Sequence, residues 1–189
     1  MTAEKQVKIL GLDISTSITG ATIVSNGSIV ESTYWDTRNK KHFSNIYYKA
    51  KFLKDKLEDI KDRHQISHIY IEQSLHSFRS GFSSAQTLST LSRFNGIISW
   101  ICWDLFEKPP EMIAATSARK QAGIAIKRGD NAKEKVLQFV LDNYPQIAIQ
   151  YTKHGNPKPG VLDMCDSIII AIAGNKIVRE TEITEKSFR

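Results

Sequence analysis

Long hydrophobic runs are missing from this sequence. No apolar stretch approaches the roughly 18 residues that a membrane span needs. The first residues, Met1 to Gln6, lack the basic-then-apolar order of a signal peptide. We therefore expect a protein that does not enter a membrane and that works inside a cell.

Cysteine and proline are also scarce, with 2 cysteines and 5 prolines in 189 residues. These numbers exclude a disulfide-built miniprotein and a collagen-like or proline-rich chain. Cys102 and Cys165 lie far apart in apolar stretches, without a C-x-x-C pair or a histidine at zinc spacing. We expect both to be reduced and buried. The composition, 41% hydrophobic and 24% charged, is that of a folded globular protein.

Positive charge is in excess and unevenly distributed. The chain has 26 Lys and Arg against 20 Asp and Glu, a formal charge of +6. The excess lies in two stretches, 38–56 and 119–135. Such stretches suit a polyanion, and nucleic acid is the first candidate. For the first stretch, a solvated helix face with surplus lysine is an equally good explanation.

The N-terminal third has the pattern of a β-meander followed by a helix. Apolar, β-branched runs at 7–12, 18–24 and 28–35 predict three antiparallel strands, with a hairpin turn at Asn26-Gly27. Apolar residues at helical spacing then predict an amphipathic helix over 43–64.

The remaining chain alternates between strand and helix patterns. A short apolar strand, 67–71, ends at Glu72, and a serine-rich loop follows at 74–84. Without repeats or linkers, we expect one α/β domain over 1–178 and a charged, frayed tail over 179–189. The other predicted elements are a helix over 85–106, a strand over 112–115, and helices over 117–123, 131–143 and 161–178.

Four carboxylates stand where an acid is a poor structural choice. Asp13 ends the first strand, and Glu72 ends the buried one. Asp163 and Asp166 are three residues apart, so they share the helix face that continues toward the core. Buried carboxylates are costly unless a cation neutralises them, and magnesium prefers such oxygen ligands. Together the four acids predict a divalent-metal site.

Each acid also has a structural explanation of its own. Asp163 and Asp166 suit the positive end of a helix whether or not a metal binds. Taken alone, Asp13 would be explained as a turn former before Ser15, and Glu72 as a salt-bridge partner for a basic side chain. The order of the four acids along strands and helix favours the metal site over these separate explanations.

Several segments resemble the RuvC-like Holliday junction resolvases of the ribonuclease H superfamily. They are ILGLD at 9–13, IEQ at 71–73 and DMCDSIIIA at 163–171. Between them, ARK at 118–120 and GDNAK at 129–133 resemble the basic segment of that family. The resemblance covers most of the chain in the right order.

The resemblance implies a ribonuclease H-like fold, with a mixed central sheet, three antiparallel N-terminal strands and flanking helices. It implies a magnesium-dependent endonuclease that cuts four-way DNA junctions. Asp13, Glu72, Asp163 and Asp166 would hold two Mg²⁺ ions, with Mn²⁺ as a substitute, and Lys133 would join them as a catalytic residue. The residues expected to bind DNA are Lys120, Lys133, Arg119, Phe78, Arg79, Lys127 and Arg128.

This chain also departs from the family pattern. Ile14-Ser15 stands where the family has Pro-Gly, and Leu75 stands where some members have an aromatic wedge. Phe78, Arg79 and Phe82 are candidates to stack on unpaired bases, or else form a hydrophobic lid. His76 could shuttle a proton, although its loop favours an incidental surface residue, and the same two explanations stay open for His154; neither is taken as catalytic.

A resolvase cuts two strands symmetrically, which a two-fold homodimer allows. The predicted dimer element is the helix 85–106, with Gly96 and the apolar cluster Ile97, Ile98, Trp100 and Ile101.

Three rival functions differ in class. An actin-like or sugar-kinase-like fold needs about twice this length and a D-x-G loop that the chain lacks. Another ribonuclease H-superfamily nuclease, for branched DNA or RNA:DNA hybrid, would share all four acids. A catalytically inactive junction-binding protein would not need them.

Overall fold

The computed structural model describes residues 6–73 and 85–187 of the chain. Within these ranges, five strands and five helices follow one another in the order predicted from the sequence. The strands are β1 (Lys8–Asp13), β2 (Ile18–Ser25), β3 (Ser28–Asp36), β4 (His68–Glu72) and β5 (Glu111–Ile113). The helices are α1 (Ile46–Arg63), α2 (Ala85–Phe106), α3 (Ala115–Ala122), α4 (Ala132–Asn143) and α5 (Val161–Ser187).

The strands form one mixed sheet in the order β3-β2-β1-β4-β5. The first three strands are antiparallel, and β4 and β5 run parallel to β1. Asn26 and Gly27, with φ angles of 50° and 85°, make the predicted tight turn between β2 and β3. The predicted fold class, a mixed α/β sheet with an antiparallel N-terminal meander, is confirmed.

Each face of the sheet has its own hydrophobic core. Leu10 and Leu12 of β1 face α1 and α2, where they join buried side chains such as Leu57. Ile9, one residue out of phase, packs with the apolar residues of α5 instead. Successive side chains of a strand point to opposite faces, so this alternation settles which residues of β1 and β4 face α5.

Two glycines allow α5 to lie directly on the sheet. A Cβ atom at Gly11 would stand 2.5 Å from the backbone nitrogen of Ala171, and one at Gly20 would stand 2.0 Å from the carbonyl oxygen of Asp163. Side chains are therefore excluded at both contacts. A buried hydroxyl pair, Thr22 Oγ1 and Ser167 Oγ at 2.8 Å, ties β2 to the same helix.

The element boundaries differ from the predictions at several helix ends. Helix α1 begins at Ile46 rather than at 43, because the side chain of Asn45 caps it by accepting from the backbone N–H groups of Tyr47 and Tyr48. Helix α5 extends to Ser187. The predicted end of this helix at 178 is thus wrong, because residues 179–187 continue it, while the expected fraying of 179–189 stays a prediction. Helix α2 ends at Phe106, as predicted.

The two cysteines are free and buried, as expected. In the described part of the chain, no helix has the length and apolar character to cross a bilayer.

Candidate active site

Asp13 and Glu72 lie side by side at one end of the sheet. The parallel pairing of β1 with β4 matches Leu12 with Ile71, so the next residue of each strand is one of the two acids. Side chains two residues apart on a strand point to the same face of the sheet. Asp13 therefore shares a face with Ile9 and Gly11, and Glu72 shares a face with Tyr70. Ile9 and Tyr70 both pack against α5. Both carboxylates therefore extend from the α5 face of the sheet.

Asp163 and Asp166 reach the same place from the first turns of α5. The chain enters this helix at Gly160, whose φ of 94° is a left-handed conformation that favours glycine. Gly20 of β2, which pairs with Asp13 in the antiparallel register, touches the backbone of Asp163. This contact brings the start of α5 over the end of β1.

The four carboxylates repel one another in a poorly solvated site. Burial raises the pKa of Asp13 well above its usual value, and the three other acids raise it further. Burial and the charge of Asp166 raise the pKa of Glu72 to about 7. The pKa values of Asp163 and Asp166 are raised as well, mainly by burial. Such crowding of like charges is typical of functional sites, because it opposes folding unless a ligand relieves it.

Two basic residues face this carboxylate cluster. Lys133 lowers the pKa of all four acids through its charge. It is positioned by the first turn of α4, where the side chain of Asn131 accepts from the backbone N–H of Lys133. Arg119 of α3 lowers the pKa of Glu72 and of Asp166. Lys120 is exposed on α3 and is not among the described cations that shift these carboxylates.

The other predicted DNA-binding residues lie elsewhere. Lys127 and Arg128 are exposed in the connection between α3 and α4, where the carboxylate of Asp130 accepts from the backbone N–H of Lys127. Phe78 and Arg79 lie outside the described residues.

An ion pair that the sequence analysis did not single out borders the site. The carboxylate of Asp36, at the end of β3, accepts from the guanidinium of Arg38 at 2.5 Å. The charges of both residues act on Asp163. The position of this pair could have been predicted from the sequence. In a meander of strands of similar length, the end of β3 lies beside the start of β2 and so beside the β1–β2 turn.

Asn95 of α2 was also missed. It is buried, and its side-chain amide donates to the backbone carbonyl of Glu72 at 3.4 Å. Its own oxygen has no hydrogen-bond partner among the described residues. A buried asparagine in an otherwise apolar helix face is the signal that could have identified this anchor for the end of β4.

The donor set fits a hard divalent cation in its chemistry, since it consists of carboxylate oxygens whose mutual repulsion such an ion would relieve. Yet in residues 6–73 and 85–187, no three His, Cys, Asp or Glu side chains are already arranged as a metal-binding group. The four carboxylates are thus close enough to act on one another's pKa, but they are not arranged as a preformed metal-binding group.

Comparison with known proteins supports the fold but provides no sequence relative. No family model matches the sequence, and no curated protein matches it. Among solved structures, Thermus thermophilus RuvC in complex with a Holliday junction substrate has a TM-score of 0.66 at 11% identity, covering 92% of this chain and 96% of that one. A second Thermus thermophilus RuvC structure has a TM-score of 0.64 at 12% identity, covering 93% and 97%.

The yeast mitochondrial Holliday junction resolvase Ydc2 is also similar, with a TM-score of 0.61 at 12% identity, covering 90% of this chain and 78% of that one. The likeness to RuvC inferred from three short motifs therefore extends to the whole architecture. This chain has the ribonuclease H-like fold of the RuvC-type Holliday junction resolvases.

Proposed function

We propose that this protein is a magnesium-dependent endonuclease that resolves four-way DNA junctions by paired, symmetric phosphodiester hydrolysis, in DNA recombination or repair. The observation that carries the proposal is the convergence of four carboxylates at one end of the sheet, in a fold that RuvC shares. The RuvC neighbour holds a Holliday junction substrate, which supports branched DNA as the substrate here.

Asp13, Glu72, Asp163 and Asp166 are the residues that would hold the metal, as two Mg²⁺ ions or Mn²⁺ in their place. When bound, the ions would supply an activated water and stabilise the charge that develops on the leaving oxygen. Asp13 is the best candidate for a shared ligand, because it ends a central strand and all three other acids act on its pKa.

The reaction would be in-line hydrolysis of a phosphodiester. The water oxygen forms a bond to phosphorus, the bond to the 3′ oxygen breaks, and the leaving oxygen takes up a proton. The products carry a 5′ phosphate and a 3′ hydroxyl. Lys133 and Arg119 would stabilise the negative charge of the scissile phosphate, because they already face the carboxylate cluster. Lys120, Lys127 and Arg128 would bind DNA further out.

A homodimer would place two such sites on one junction. The predicted dimer cluster on α2 needs a correction, because Ile98 and Ile101 are buried in the core that α2 shares with α1 and are not available to a partner. The exposed aromatic side chains of this helix are Trp100 and Trp103, each more than half exposed. We propose these two tryptophans as the centre of the dimer contact.

Cleavage of a synthetic four-way junction, with and without magnesium, tests the proposal. Linear duplex and RNA:DNA hybrid serve as alternative substrates on the same denaturing gel. Asp13→Asn should slow junction cleavage by about 100-fold or more, since loss of second-shell support alone costs 10–100-fold in metal sites. Asp62→Asn, an exposed acid near the end of α1, is the matched control and should cut at the wild-type rate.

Paired nicks that require both metal and Asp13 would support the proposal. Cutting of duplex or hybrid in preference to the junction would move the function to another nuclease of the superfamily. Tight junction binding without cutting, and without any magnesium-dependent rise in melting temperature, would indicate an inactive junction-binding protein.

A further inference from the structure

The chain's positive charge is concentrated beside the carboxylate cluster. Residues 37–54 contain six Lys and Arg and no Asp or Glu, which equals the net charge of +6 of the whole chain. The part from 38 to 51, which connects β3 to α1 and forms the first turns of α1, is called the loop–helix surface below. Neither the metal ligands nor the basic residues of α3 and α4 belong to it.

The loop–helix surface lies at the same end of the sheet as the acids. The surface begins two residues after Asp36, the last residue of β3. Asp36 pairs with Ile18, the first residue of β2. The backbone N–H of Thr37 donates to the carbonyl of Ser17 at 2.8 Å. The ammonium of Lys49 donates to the carbonyl of Thr16 in the same β1–β2 turn. These bonds join the surface to the turn that directly follows Asp13.

Internal contacts hold this segment in one conformation. Asn39 accepts from the backbone N–H groups of His42 and Phe43 through its carbonyl, and from that of Lys41 through its side chain. The rings of Phe43 and Phe52 pack with centroids 5.2 Å apart. A binding surface ordered before its ligand arrives loses less conformational entropy on binding.

Arg38 pairs with Asp36, but three other exposed cations of the surface have no partner of opposite charge among the described residues. Lys40, Lys41 and Lys51 are exposed and form no salt bridge with any described residue. The next lysines of α1 differ, because Lys54 pairs with Glu58 and Lys56 pairs with Asp59, each at 3.8 Å. Pairs of opposite charge three or four residues apart, like those of Lys54 and Lys56, are what stabilise an ordinary solvated helix face.

Two tyrosines lie among these lysines. Tyr47 and Tyr48, in the first turn of α1, are 70% and 57% exposed. Their hydroxyl groups can donate to phosphate oxygens, and their rings can pack on sugars or exposed bases. Exposed aromatic side chains between unpaired cations favour a nucleic-acid contact over a purely solvating role.

We propose that the loop–helix surface is a second DNA-binding site, which holds the phosphodiester backbone of a DNA arm next to the strand being cut. This inference rests on the proposed function, because it takes DNA as the substrate. Lys40, Lys41 and Lys51 contact phosphates, and Tyr47 and Tyr48 pack against the same arm. The site contributes affinity and orientation rather than chemistry.

The test measures how junction binding depends on salt, with calcium in place of magnesium to suppress cleavage. The logarithm of the association constant falls as the logarithm of the salt concentration rises, and each phosphate contact made by a lysine makes this slope steeper by about 0.9. Lys40→Gln/Lys41→Gln should therefore reduce the slope by about 2. The charge-retaining Lys40→Arg/Lys41→Arg should keep the wild-type slope. Lys61→Gln/Lys108→Gln removes equal charge near the opposite end of the sheet and should also keep it.

The possible outcomes separate this site from the proposed function. If wild type binds and cuts the junction but Lys40→Gln/Lys41→Gln keeps the wild-type slope, the second site is wrong and the nuclease assignment stands. If the Lys61 and Lys108 control loses as much slope, binding depends only on net charge and the site is also wrong. If wild-type protein binds no DNA, both proposals are overturned.

Discussion

The acidic residues at the two ends of the sheet have opposite electrostatic surroundings. At the end where β1 and β4 finish, four carboxylates crowd together, and their pKa values are raised. Near the other end, Glu31 of β3 accepts from Arg63, and His64 lies 3.1 Å away. These partners lower the pKa of Glu31. One arrangement opposes folding and the other supports it, so the first requires a functional explanation and the second does not.

The largest effect is expected from a substitution that disturbs the packing beneath the four carboxylates. Gly20→Ala would place a Cβ atom 2.0 Å from the carbonyl oxygen of Asp163. Helix α5 would have to move away from β2, and we expect a loss of stability above the about 1–3 kcal/mol that is usual for overpacking, together with loss of junction cleavage. Chemical denaturation and the cleavage assay measure the two effects.

Gly96→Ala is the matched control, because a Cβ at Gly96 meets nothing within 4 Å. In the middle of α2 it should raise stability by about 0.5–1 kcal/mol. Equal losses for the two variants would contradict the close approach of α5 to the sheet.

The charge of the carboxylate cluster should lower stability in the absence of metal. Glu72→Gln removes one of the crowded charges, and without metal it should raise the free energy of unfolding at pH 8 by on the order of 1–2 kcal/mol. The pKa of Glu72 is raised to about 7 in the folded protein, against about 4.3 in an unfolded chain. Its unfavourable contribution is therefore absent below about pH 4 and complete above about pH 7.

Denaturation with EDTA at several pH values measures this difference between Glu72→Gln and wild type. A constant difference from pH 4 to pH 8 would mean that packing rather than charge is responsible. Added magnesium should reverse the order of the two proteins, because only wild type keeps the full ligand set.

The paired acid at the other end should behave in the opposite sense, and more weakly. Glu31→Gln should lower stability at pH 7 by less than about 1 kcal/mol, because Arg63 is largely exposed and water screens the pair. The folded-state pKa of Glu31 is lowered, so its contribution exists above the unfolded value of about 4.3 and disappears as the pH falls through the folded value.

Thermal unfolding at pH 7 in low and high salt measures the effect of Glu31→Gln. The difference from wild type should shrink in high salt. A gain in stability like that expected for Glu72→Gln would erase the distinction between the two ends of the sheet.

Much of the fold was predictable because its signals are local. Apolar alternation placed β1 to β4 within one or two residues, and the helical pattern placed the end of α2 at the observed residue, Phe106. The end of α5 was missed because residues 179–185 are exposed and mostly charged or polar, so no apolar face marks the continuation of the helix. Residues 74–84 and their predicted wedge stay predictions.

The proximity of the four acids was predictable from the sequence, and the position of the cations beside them was less so. Asp13 and Glu72 stand at strand ends, where burial follows from the apolar residues before them. Arg119 and Lys120 are neighbours on α3, separated by about 100° around the helix. Which of them faces the acids depends on how α3 packs against α5, and the resemblance pointed to Lys120, whereas Arg119 acts on the carboxylates.

By itself, the sequence determined the elements, their order and the four acids at element ends, because hydrophobic period and turn residues act over a few positions. The tertiary structure decided which residues lie next to those acids. The pairing of β1 with β4, the contact of Gly20 with α5, and the position of residues 38–51 beside the site join parts of the chain that are far apart in sequence. Such contacts depend on the close packing of whole elements, which no local pattern records.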